Sequence, residues 1–117
     1  MKNLVKIAIC TVFSVLAACK HENDLDNKVP NCITDKVEAL KELPPQNPRA
    51  EVWQWDVDGK IYYYITSDCC DQFNYLYDNQ CNVVCAPDGG ITGGGDGTCP
   101  KFTGKIDSTL IWKDPRE

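Results

Sequence analysis

The chain has 117 residues, with 12 Lys and Arg against 17 Asp and Glu and a net charge of −5. That length supports about one small domain. The acidic balance argues against nucleic acid, whose phosphates require Lys and Arg, and against direct attraction to anionic lipid head groups.

Lys2 and Lys6 precede an apolar run that ends in Leu16-Ala17-Ala18-Cys19. A basic start, a short apolar core and a small-residue cleavage site make a secretory signal. Leu-Ala-Ala-Cys also resembles a bacterial lipobox, in which the chain is cut before the cysteine and the cysteine then carries lipid. A transmembrane anchor fits less well: the run from Ile7 to Ala18 contains Thr11 and Ser14 and falls short of the roughly 20 apolar residues a span needs. Residues 1–18 are therefore expected to be removed, and Cys19 is the expected lipidation site. The net charge then moves from −5 to −7, because Lys2 and Lys6 leave with the signal. Membrane attachment must come from the lipid, at about 0.8 kcal/mol per buried methylene, with two or more chains needed for stable anchoring. The expected address is the bacterial cell envelope, at the outer membrane, with the periplasmic and surface faces both open.

Residues 19–30 read as the lipidated cysteine and a flexible acidic tether carrying Glu22, Asp24 and Asp26. Residues 31–117 read as a single α+β domain, with one helix packed on a twisted antiparallel sheet of four to five strands. Asn31 to Leu43 has Ile33, Val37, Leu40 and Leu43 at helical spacing. Asn31 is a candidate cap, and Pro44-Pro45 is a stop. Val52 to Thr66 reads as a hairpin around Asp58-Gly59. A three-residue loop, Val57-Asp58-Gly59, puts Trp53, Trp55, Ile61, Tyr63 and Ile65 on one face. A two-residue turn splits the apolar residues between faces. Register follows the buried face, which favours the longer loop and leaves Tyr62 and Tyr64 on the more polar face as a candidate contact surface. The other reading of that face is a second packing surface covered by the glycine-rich loop. Phe73 to Tyr77 alternates, Asp78-Asn79-Gln80 turns, and Asn82 to Cys85 returns as a second hairpin. Pro87 to Pro100 is a glycine-rich loop, and Thr109 to Trp112 is a candidate last strand.

Cys10 leaves with the signal and Cys19 goes to lipid. Cys32, Cys69, Cys70, Cys81, Cys85 and Cys99 remain. An even set in an exported chain implies disulfides. Pairings that join the adjacent Cys69 and Cys70 are set aside because such a bridge is strained, and the others stay open. Zinc is the rival use of Cys81 and Cys85. The exported setting and a domain without histidine argue against it.

Little in the chain suggests catalysis. The lone histidine, His21, lies in the tether, so a His-based acid, base or nucleophile pair is not expected in the domain. Gly89 to Gly97 lacks the lysine of a phosphate loop and has Asp96 after Gly95. Asp78 to Asn82 begins like a calcium loop but has Val83 and Gly89 at the positions of the required glycine and glutamate. Asp68, Asp71, Asp88 and Asp96 could still form an irregular calcium site if folding gathers them. No cofactor or metal is otherwise expected.

Three stretches carry a family resemblance. They are Asp68-Cys-Cys-Asp-Gln-Phe-Asn-Tyr-Leu-Tyr-Asp78, Cys85-Ala-Pro-Asp-Gly-Gly-Ile-Thr-Gly93 with Gly95-Asp-Gly97, and Ile111-Trp-Lys-Asp-Pro-Arg116. Together they resemble small bacterial lipoproteins, typical of Bacteroidota, classed as a domain of unknown function, over roughly residues 32–116. Members often carry glycine where Cys81 stands, which makes the Cys81 bridge the least certain. The resemblance implies no activity and no catalytic residue. The expected function is a non-enzymatic binding or structural module with an envelope or extracellular protein partner. The alternatives are a protease-inhibitor-like module using a protruding Cys85–Cys99 loop, and a calcium-dependent binder.

Overall fold

A computed structural model describes residues 25–117. The signal, Cys10, Cys19 and His21 lie outside the described residues, as does the first half of the tether. Helix α1 spans Asn31–Glu42, followed by strands β1 (Glu51–Val57), β2 (Lys60–Ile65), β3 (Phe73–Tyr77), β4 (Val83–Gly89) and β5 (Ile106–Lys113). The strands form one open antiparallel sheet in the order β4-β3-β2-β1-β5. Among the described residues the single short helix and the five-stranded antiparallel sheet follow expectation, but the balance is mostly β.

Helix α1 starts one residue earlier than a cap at Asn31 would allow. Pro30 stands at the N-cap with no side-chain cap, and Asn31 is already helical. The far end follows expectation, because Leu43 turns extended (ψ 159°) just before Pro44. Ile33 and Val37 are fully buried, Leu40 is half-buried, and Leu43 is exposed. The apolar stripe therefore covers the sheet over its first two turns and reaches solvent at its end. Leu25 and Val29, assigned to the tether, pack against the same core. The ordered domain accordingly begins before residue 31, because these two apolar residues find the helix–sheet seam.

The hairpin turn corrects the expected register. Trp55 pairs with Tyr62 and Trp53 with Tyr64, so the connection is the two-residue turn Asp58-Gly59, with φ of 52° and 84°. Two positive φ values define the turn whose twist matches the flanking strands, and Asp-Gly is a preferred sequence for it. The longer loop follows from the pattern only if one sheet face alone is buried. Here both are. Val52, Tyr63, Ile65 and Trp112 face α1. On the opposite face Val57, Tyr62, Leu76 and Cys85 form a second cluster beneath Phe102. Phe102 meets Trp55 and Tyr62 edge-on, at 6.3 and 5.6 Å between ring centres, and Trp55 stacks on Tyr64 at 5.5 Å. Gly104 approaches the Asp58 carboxylate so closely that a Cβ there would collide with it.

Strand β5 is longer than expected and shifts register between Val52 and Trp53 of its partner. The bulge leaves Ile111 unpaired and re-aims the strand, which lets Trp112 enter the helix-side core at 2% exposure. β4 likewise runs past Cys85 to Gly89, so the first part of the expected loop is strand.

Two cysteine pairs staple these layers. Cys32 at the start of α1 bonds to Cys81 in the β3–β4 turn, and Cys85 in β4 bonds to Cys99. The third pair is Cys69 with Cys70, the adjacency set aside from sequence. Cys32, Cys81, Cys85 and Cys99 satisfy one another across the fold, so among the described residues the neighbouring cysteines have only each other.

Candidate functional site

A groove of about 560 Å³ runs between the C-terminal half of α1 and strands β2 and β3. Leu40 and Ile65 line its depth, Pro44 and Pro45 one wall, and Tyr75 and Tyr77 the other. The sequence builds it directly. Pro44-Pro45 carries the chain away from the sheet where the helix stops. The alternation of β3 puts Phe73, Tyr75 and Tyr77 on one side, where adjacent rings lie 6.1 and 6.4 Å apart. Tyr75 pairs with Ile65 and Tyr77 with Tyr63, so both tyrosines look toward the helix. Leu43 and Tyr75 leave apolar surface exposed at the rim.

The rim's polar groups are anchored. Asp68 Oδ1 accepts from the backbone N–H groups of Asn47 and Cys69, each at 2.9 Å. Thr66 Oγ1 accepts from Glu51 N at 2.8 Å. Ser67 N donates to Asn74 Oδ1 at 2.7 Å, and Ser67 Oγ donates to the Phe73 carbonyl at 2.6 Å. Lys36 Nζ lies 4.5 Å from the centre of the Tyr77 ring, within cation–π range. Burial, with a smaller contribution from Tyr75, pushes the Tyr77 phenol above its ordinary value, so it is a neutral hydrogen-bonding group at neutral pH. Gln46 borders the groove, and its Oε1 is buried without a hydrogen-bond partner. The arrangement offers aromatic and proline faces with a few fixed polar groups, which suits binding.

The opposite sheet face holds the other candidates. Tyr62 is 7% exposed, and Tyr64 is half-buried with its hydroxyl donating to Asp88 at 2.7 Å. Asp88 also accepts from Asn74 Nδ2 at 2.9 Å. Burial, followed by the hydrogen bond to Asp88, drives the Tyr64 phenol well above its ordinary value. These tyrosines thus serve a covered face instead of an open contact surface. Trp53 and Trp55, assigned to the helix-side core, lie half-buried on this face too.

The aspartates considered for calcium are dispersed. Asp88 serves Tyr64. Asp96 accepts from Thr98 N and Oγ1 at 3.0 and 2.8 Å. Among the described residues no three His, Cys, Asp or Glu side chains gather into a metal-binding group. Part of the Cys85–Cys99 loop doubles back on β4. Asp96 N donates to the Ala86 carbonyl at 3.0 Å, and Gly95 N to the Gly89 carbonyl at 3.1 Å. A Cβ on Gly95 would collide with the Ala86 carbonyl oxygen, and its φ is +77°, so glycine is required there. Ile91, 88% exposed, tips the turn closed by Gly93 N donating to the Gly90 carbonyl.

Sequence reasoning missed the Arg116 clasp. Arg116 donates to both carboxylate oxygens of Asp114, at 3.0 and 2.8 Å, and to the carbonyls of Leu40, Lys41 and Leu43 at 2.9–3.1 Å. A planar guanidinium thus satisfies the orphan carbonyls at the end of α1. The Asp-Pro-Arg tail was visible as a motif. Its contact, more than 70 residues away in sequence, was not.

No curated protein and no solved structure matches the chain. Residues 38–114, which include β1 to β5, the Cys69–Cys70 pair and most of the groove, match a family described as a domain of unknown function (DUF6970), and the chain belongs to that family.

Proposed function

We propose that the chain is a lipid-anchored envelope protein whose domain is a non-enzymatic binding module for an envelope or extracellular protein partner. The groove beside Tyr75 is the binding site. The observation that carries this reading is the groove itself: about 560 Å³, walled by Pro44, Pro45, Tyr75 and Tyr77, with Leu43 exposed at its mouth. Rigid aromatics and prolines bind at low conformational cost. The lipobox residues ending at Cys19 support the anchor.

Affinity capture from intact cells tests the module. A partner held by the native chain and lost with Tyr75→Ser and Leu43→Ser supports it. Capture unaffected by both variants removes the groove from the reading. Labelling with palmitate tests the anchor: label retained after Cys19→Ser sinks the assignment of Cys19. A second reading, a protease-inhibitor-like module, rests on Ile91 at the tip of its disulfide-closed turn.

A further inference from the structure

We infer that Cys69–Cys70 is a thiol–disulfide exchange site, a bridge that a dithiol reductant opens while the rest of the fold stays intact. Of the three bridges only this one has both cysteines exposed. Cys85 is 1% exposed in the loop-side core, and Cys32 and Cys81 pack against the helix-side core. Exchange requires an attacking thiolate to reach a sulfur, so access selects among bridges.

A second argument concerns what the bridge supports. A disulfide stabilises largely by closing a loop in the unfolded chain, and the effect grows with loop length. Cys32–Cys81 spans a separation of 49 and Cys85–Cys99 one of 14, whereas Cys69–Cys70 spans 1. Opening the adjacent pair therefore releases almost no chain. The surrounding loop is also held without the sulfurs. Cys69 N donates to the Asn47 carbonyl at 3.2 Å and to Asp68 Oδ1 at 2.9 Å, and Asp68 Oδ1 accepts from Asn47 N. The pair is thus a redox group placed on the fold, in contrast to the other two bridges, which the fold depends on.

The chemistry balances with a dithiol donor. Its thiolate attacks one sulfur, the Cys69–Cys70 bond breaks as a mixed disulfide forms, and the displaced cysteine takes a proton. The donor's second thiol attacks the mixed disulfide, frees the other cysteine as a thiol and leaves the donor oxidised. Two electrons and two protons pass to the pair. Asp68 and Asp71 flank the sulfurs in sequence, so their charge disfavours a donor that carries further negative charge besides its attacking thiolate.

The test is graded reduction of the protein as the cell exports it, using dithiothreitol, with alkylation and peptide mass mapping. The expected result is two alkylated sites, Cys69 and Cys70, appearing before any other while the circular dichroism spectrum stays native. The Cys69→Ser/Cys70→Ser double variant should retain the native melting temperature and lose this first reduction step. With glutathione, which is anionic, the opening rate should rise with ionic strength, as screening predicts. Three results would overturn the inference. One is opening of Cys32–Cys81 or Cys85–Cys99 first or simultaneously. Another is loss of the native spectrum in the first step. The third is mapping of Cys69 and Cys70 in the untreated protein to partners other than each other.

Discussion

The two faces of the sheet are sealed by different means. The helix side is covered by a regular element: α1 lays Ile33 and Val37 on Val52, Tyr63, Ile65 and Trp112. It is pinned by Cys32–Cys81 at one end and by the Arg116 clasp at the other. Among the described residues, no helix or strand covers the loop side. One aromatic ring, Phe102, a bridge from Cys85 to Cys99, and a chain of hydrogen bonds from Tyr64 through Asp88 to Asn74 seal it instead. A helix can cover a face and still leave a groove where its stripe runs out. An irregular loop must follow the surface closely, and the close approaches of Gly95 and Gly104 show that it does. The open groove therefore belongs to the helix side.

The contrast can be broken from either side. Trp112→Ala should have the largest effect, about 3–5 kcal/mol of stability lost, since Trp112 is 2% exposed at the centre of the helix-side core. Denaturant unfolding measures it. Removing bridges comes next. By loop-closure entropy, Cys32→Ser/Cys81→Ser should cost about 4 kcal/mol and Cys85→Ser/Cys99→Ser about 3, so the helix side should suffer more. An equal or reversed order in paired melts would mean that the loop face depends on its bridge for more than chain entropy.

Arg116→Ala should lower the melting temperature by less than either bridge removal, because it leaves the buried Asp114 charge and the helix carbonyls without donors. Lysine should not restore it, since one ammonium cannot reach the same fork of acceptors. The hydrogen bond from Arg116 holds the Asp114 carboxyl below its ordinary value. A depressed folded value adds stability that is present above the unfolded value of about 4 and is lost as pH falls through the folded one. Acid melts of the native chain should therefore fall more steeply below about pH 4 than those of Asp114→Asn. The smallest effect is expected from Phe102→Ala, about 1–2 kcal/mol. Hydrogen exchange should then rise at Tyr62 and Tyr64 while the amides of α1 stay protected. Exchange rising on both faces would show that the two clusters are one cooperative core.

Much of this contrast was legible in the residues. The helix stripe, the proline stop, the β3 alternation and the disulfide count follow from local spacing, which short-range physics sets. The turn at Asp58-Gly59 was misjudged because periodicity says which residues share a face but not how many faces are covered. Trp55, Tyr62 and Tyr64 needed a second cover, and it came from Phe102, about 40 residues downstream of Tyr62. The Cys69–Cys70 pair was passed over on local grounds, and only the pairing of the other four cysteines across the fold leaves it in place. The groove joins the end of α1 to β3, and the Arg116 clasp joins residue 40 to residue 116. Neither leaves a local pattern.

The Cys32–Cys81 bridge has a mechanical consequence. Every residue lining the groove lies between those two cysteines in sequence. Tension entering the domain from its N-terminal side, once past Leu25 and Val29, reaches Cys32 and passes through the sulfurs to Cys81. The intervening chain is spared, with roughly 160 Å of extensible length held out of reach at about 3.3 Å per residue. A domain pulled from its N-terminal side would thus keep its groove slack while the rest of the chain bears the load.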